Sequence, residues 1–139
     1  MRLMRSENDS QNKKKEIPHF VQLDPKAYDE YFGGIDPKIS TQIYTKTAEI
    51  FLKNIEERYS SLSANLASNQ NQPAIVTAHQ LKGSLLSLGG PLLANIFRHI
   101  ELGVNRTPNE ELLATLKESR ANLDLFISEL KTWIAFLRS

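Results

Sequence analysis

Cysteine is absent from the 139 residues, which excludes disulfides and thiolate metal sites. Histidine is scarce: His19, His79 and His99 are not closely paired, so no zinc site is expected. Nor does any stretch approach the ~20 apolar residues of a membrane span. The N-terminus, MRLMRSENDSQNKKKE, lacks the apolar centre of a signal peptide. A cytoplasmic protein without membrane contact is expected. A charge excess is missing too: 17 basic side chains face 16 acidic ones, for a net +1. That argues against general nucleic-acid binding, which needs a basic surplus on one face. There is no glycine-rich phosphate loop and no Walker lysine, hence no ATP cradle. Strand alternation, internal repeats and low-complexity tracts are also lacking.

What the chain does have is helical spacing. Residues 1–16 read as a flexible polar arm ending in three lysines, and residues 17–139 as one helical domain. Phe20, Val21 and Leu23 make an extended lead-in. Asp24-Pro25 and Asp36-Pro37 are two helix starts, a capping carboxylate followed by proline at the first position. The first helix is short and ends at Gly33-Gly34. The second runs to about Ala67, with Ile39, Ile43, Thr47, Ile50, Phe51, Ile55, Leu62 and Leu66 in helical register. After the polar break SNQNQ, Pro73 sits at or near the first position of a third helix that closes at Gly89-Gly90. Pro91 starts the next, turning Leu92, Leu93, Ile96, Phe97 and Ile100 inward. Thr107-Pro108-Asn109-Glu110 reads as a capping box opening one last helix to the end of the chain. Its repeat, Leu113, Leu116, Leu123, Ile127, Leu130, Ile134 and Leu137, is broken only at Arg120. Trp133 and Phe136 are placed over the end of the core. The fold expected is all-α: an antiparallel up-and-down four-helix bundle with a short extra N-terminal helix.

One stretch stands apart, Ala78 to Gly90, AHQLKGSLLSLGG. At about 100° per residue, His79, Lys82, Gly83 and Leu86 share one helical stripe. Ala74, Thr77, Leu81, Leu85 and Leu88 fall opposite, enough to bury the helix on a core. The His79 stripe is thereby left to solvent or a partner. A mid-helix glycine costs about 1 kcal/mol relative to alanine, yet at i+4 it removes the side chain that would crowd the imidazole. Imidazole, adjacent cation and open space suit a nucleophile that meets a phosphoryl group. A surface histidine beside a tolerated glycine fits the same residues equally well.

The block His79, Leu81, Lys82, Gly83, Ser84, Leu88, Gly89 resembles the HxLKGS…LG signature of histidine-containing phosphotransfer (HPt) domains. Glu101 matches further on, twenty-two residues after the histidine. The likeness extends loosely over Leu23 to Trp133. Leu85 and Leu86 replace the smaller residues usual after the glycine, and no role is carried onto Arg106. The resemblance implies that His79 accepts a phosphoryl group from a receiver-domain aspartate and passes it to another receiver in a multistep two-component phosphorelay. It implies a phosphocarrier rather than an enzyme, with no bound cofactor and Mg²⁺ on the partner receiver. Response-regulator receivers and a hybrid sensor histidine kinase are the implied partners of a monomeric chain.

Lys82 either neutralises phosphoryl charge or is a surface lysine whose stem covers apolar area. Glu101 either reaches the His79 ring or is a solvated carboxylate. An antiparallel return through Gly89-Gly90-Pro91 would put it level with His79, where it could accept a ring N–H and fix the tautomer. Ile75, Val76 and Leu86 share the His79 side and are candidates for partner docking. Two rivals stay open: a docking module that binds receivers without turnover, and a chemotaxis-type kinase phosphoacceptor domain.

Overall fold

The computed structural model describes residues 16–139, so the expected polar arm, apart from Glu16, lies outside the described residues. Among them there are six helices and no strand: α1 Lys26–Phe32, α2 Pro37–Ala67, α3 Asn71–Leu88, α4 Pro91–Gly103, α5 Asn109–Glu118 and α6 Arg120–Arg138. The all-α reading holds. Both Asp-Pro starts form as expected: Asp24 Oδ1 accepts from the Lys26 N–H at 3.0 Å, and Asp36 Oδ1 from the Lys38 N–H at 2.8 Å. Helix α3 packs along α4 on one side and α2 on the other, α2 also packs on α5 and α6, and α1 lies against α2 and α3.

Pro73 stands near the start of its helix as expected: the third helix begins at Asn71, so Pro73 sits inside its first turn. Proline is tolerated there because first-turn N–H groups lack intrahelical acceptors. Three other expectations are corrected. The last helix is two helices, broken at Ser119 beside the Arg120 gap in the leucine repeat. The Ser119 hydroxyl donates to the Leu116 carbonyl at 2.7 Å, closing α5. The capping box does not form, because Pro108 occupies the cap with no side-chain bond. Asn109 is instead drawn into an asparagine cluster, its Nδ2 2.9 Å from Asn71 Oδ1 and 3.2 Å from Asn69 Oδ1. Finally, Ile39, Ile43, Ile50 and Leu92 are exposed. On α2 the buried stripe runs through Tyr44, Ala48, Phe51, Ile55, Leu62 and Leu66, rotated away from those isoleucines. Tyr44 can enter the core because its hydroxyl finds an acceptor, the Leu88 carbonyl at 2.6 Å.

The turn between α3 and α4 is fixed from several sides. Gly89 adopts φ +98°, and its N–H and that of Gly90 both reach the Leu85 carbonyl, at 2.9 and 2.6 Å. Its own carbonyl accepts the Asp24 N–H at 2.7 Å. A Cβ on Gly89 would stand 2.5 Å from the Asp24 oxygen, so glycine is required by both conformation and space. The lead-in segment is held at its other end by Glu129 of α6. Its Oε2 accepts from Val21 N–H at 2.7 Å, and its Oε1 from Gln22 and Leu23 N–H at 2.8 and 2.9 Å. Buried Trp133 covers one end of the core, edge-on to Phe20 and Tyr28 and stacked on Phe136. Where α6 begins, Arg120 forks onto Glu56 at 3.0 and 2.6 Å and lies 4.8 Å over the Tyr59 ring, fastening α6 to α2. Those guanidinium hydrogen bonds hold the Glu56 carboxyl below its ordinary value.

Candidate functional site

Helix α3 has the two faces its spacing demands. Ala74, Ala78, Leu81, Leu85 and Leu88 are buried, and Thr77 half-buried. On the opposite side His79, Gly83, Val76 and Leu86 are exposed, the His79 side chain at 64%. The apolar stripe thus anchors the helix and leaves the imidazole outward.

Helix α4 brings the second component. Phe97 and Ile100 point into the core, and the next residue, Glu101, flanks α3. Its Oε2 is 2.9 Å from His79 Nδ1, and its Oε1 is 3.0 Å from Lys82 Nζ. One carboxylate therefore ties together the two basic groups of a single turn of α3. Glu101 and Lys82 are largely covered, at 16% and 23%, whereas the imidazole stands free. Burial pushes the Glu101 carboxyl upward, but the hydrogen bonds and charges of Lys82 and His79 outweigh it and hold the group below its ordinary value. An ionised carboxylate has no proton to give, so the hydrogen between the two groups belongs to Nδ1. In the neutral ring Nε2 is then the nitrogen that carries the lone pair.

Gly83 leaves open space: a Cβ built there meets nothing within 4 Å. No neighbour within the chain requires glycine at this position, in contrast to Gly89. Of the apolar residues on this side, Val76 and Leu86 are exposed at 46% and 41%, and Ile75 is half-buried against the core. Among the described residues no group of three or more histidine or carboxylate side chains is placed to hold a metal ion. No helix of the described residues is long and apolar enough to cross a membrane.

Glu129 was not singled out by sequence, although a signal existed. It lies three residues after Phe126 and four before Trp133, a carboxyl on a core-facing stripe. Such a position demands hydrogen-bond partners, and the lead-in amides supply them. His99 is exposed and stands beside a groove on α4, together with Arg98, Leu102 and Arg106.

Comparison with curated proteins and with solved structures yields no match. A family model described as Hpt domain matches residues 46–133, well over half of the chain and including His79, Lys82, Gly83 and Glu101. The chain belongs to the Hpt domain family, histidine phosphotransfer modules of phosphorelays that carry phosphoryl groups rather than act as catalysts.

Proposed function

We propose that the chain is the phosphocarrier between two receiver domains of a multistep two-component phosphorelay, with His79 as the acceptor. The observation that carries this reading is the exposed imidazole held through Nδ1 by Glu101. In the forward step the Nε2 lone pair attacks phosphorus of a receiver aspartyl phosphate. The N–P bond forms as the acyl phosphate P–O bond breaks, and the aspartate leaves as carboxylate. The ring keeps its Nδ1 proton and becomes cationic. Glu101 is already aligned to stabilise that charge, without reorganisation at the moment of reaction. Transfer to a second receiver reverses these steps. Lys82 supplies a nearby cation for the phosphoryl oxygens, positioned by the same carboxylate.

Gly83 keeps the approach to the ring clear, and Val76 and Leu86, with Ile75 behind them, give the partner an apolar surface. In this reading Mg²⁺ and the acidic groups that bind it reside on the receiver. The first donor is the receiver of a hybrid sensor histidine kinase, and the chain works as a cytoplasmic monomer, since one copy contains the whole His79–Glu101 pair. We take residues 17–139 as one domain, an antiparallel four-helix bundle of α2, α3, α4 and the α5–α6 pair, with α1 as the short extra helix.

The test is transfer of acid-labile phosphate from a panel of receiver domains phosphorylated with acetyl phosphate. Wild type should be labelled, and His79→Gln should not be, while its helical circular dichroism is unchanged because the side chain is exposed. Labelling of the variant would remove His79 from the mechanism. Receiver binding with no labelling of wild type would make the chain a docking module without turnover.

A further inference from the structure

Helix α4 carries a second feature that the phosphoacceptor does not use. Arg98, His99, Leu102 and Arg106 surround a groove of about 330 Å³, floored at Gly103. Gly103 is buried and close-packed: a Cβ there would stand 2.8 Å from Leu112 Cδ2. Both arginines and His99 are exposed, and Leu102 is 50% exposed. Among the described residues, Arg98 and Arg106 form no ion pair, whereas Arg120 and Arg138 are each engaged by a carboxylate. No carboxylate lines the groove, and Glu101, three residues after Arg98, is turned to α3 and held by His79 and Lys82. In a chain with a net charge of only +1, the groove is a positively charged patch with no carboxylate in its lining.

We propose that this groove is a docking surface for an acidic segment of the partner receiver domain, next to the phosphoacceptor. The inference rests on the function proposed above and adds the part of the partner that is recognised. Three observations select this occupant. The groove adjoins the site, since Arg98 lies one turn before Glu101 and Leu102 directly after it. Its lining combines an exposed leucine with two arginines, which suits a protein surface of acid and apolar side chains. Two arginines in an otherwise neutral protein are too few for a nucleic-acid backbone. An apolar contact flanked by unpaired charges steers the encounter and fixes orientation.

The experiment uses the full chain and the acetyl-phosphate-labelled receiver that transfers fastest to wild type. Transfer rates at limiting receiver are compared at about 0.01 M and about 1 M salt, where the Debye length falls from about 30 Å to about 3 Å. The double variant Arg98→Glu/Arg106→Glu should be at least about tenfold slower at low salt and converge on wild type at high salt. Arg98→Gln/Arg106→Gln should fall between the two, and it stands in should the reversal variant lose helicity. Equal rates at low salt would overturn the proposal, as would a deficit that persists undiminished at high salt. Single-stranded oligonucleotide binding that the variants lose, with receiver transfer unchanged, would overturn it in favour of a polyanion site. Wild type labelled by no receiver would instead remove the function on which the proposal stands.

Discussion

Removing the Glu129 side chain tests whether the lead-in segment is fastened as the structure describes. In Glu129→Ala three backbone N–H groups lose their acceptor, and those of Gln22 and Leu23 are buried. A buried donor left unpaired costs about 1–3 kcal/mol, so two of them cost roughly 2–6 kcal/mol if the segment stays in place. The segment has an escape, which is to peel away and let water satisfy the amides. It then gives up the burial of Leu23, now 3% exposed, and the Asp24–Gly89 hydrogen bond. Those losses amount to about 1.5–3 kcal/mol for the side chain and about 1 kcal/mol for the bond. The cheaper route prevails, so the expected loss is about 2–4 kcal/mol, a large part of the ~5–15 kcal/mol of a typical domain. Glu129→Gln keeps one carbonyl acceptor and should lose roughly half as much, about 1–2 kcal/mol. Urea unfolding gives both values, and amide exchange at Val21, Gln22 and Leu23 distinguishes peeling from staying. A Glu129→Ala protein within about 0.5 kcal/mol of wild type, with those amides still protected, would refute the reasoning.

Gly83→Leu should block phosphotransfer while leaving stability equal or higher by up to ~1 kcal/mol, because helix propensity improves and the added Cβ meets no neighbour; a normal transfer rate in this variant would show the open space to be incidental. Glu101 lies below the usual 4.5, so its ion pairs contribute full stability above that pH and lose it as pH falls through the lower folded value. Glu101→Gln should therefore flatten this part of the acid unfolding profile and slow transfer without abolishing it. An unaltered acid profile together with an unaltered rate would return Glu101 to an ordinary surface role.

Much of this molecule follows from local rules that act within a few residues. The Asp-Pro starts of α1 and α2, the Gly89-Gly90-Pro91 turn and the two faces of α3 need only capping chemistry and a 3.6-residue period, and all are legible in the sequence. The His79, Lys82, Gly83 set is legible for the same reason, since its members share one helical stripe. Local rules fail where a choice among several apolar residues depends on the neighbouring element. Tyr44 rather than Ile43 enters the core because the Leu88 carbonyl, forty-four residues away, satisfies its hydroxyl. The division of the last helix at Ser119 accompanies the Arg120 fork onto Glu56, made with a distant element. Glu129 is a core position only because the amides of Val21 to Leu23 arrive beside it from the far end of the chain. The contact between His79 and Glu101 belongs to both kinds. Their equal height follows from the short turn between α3 and α4, but the carboxylate's double engagement by His79 and Lys82 is decided only when the two helices pack. Sequence spacing determines which residues can face one another; the free energy of packing and of satisfied buried polar groups determines which of them do.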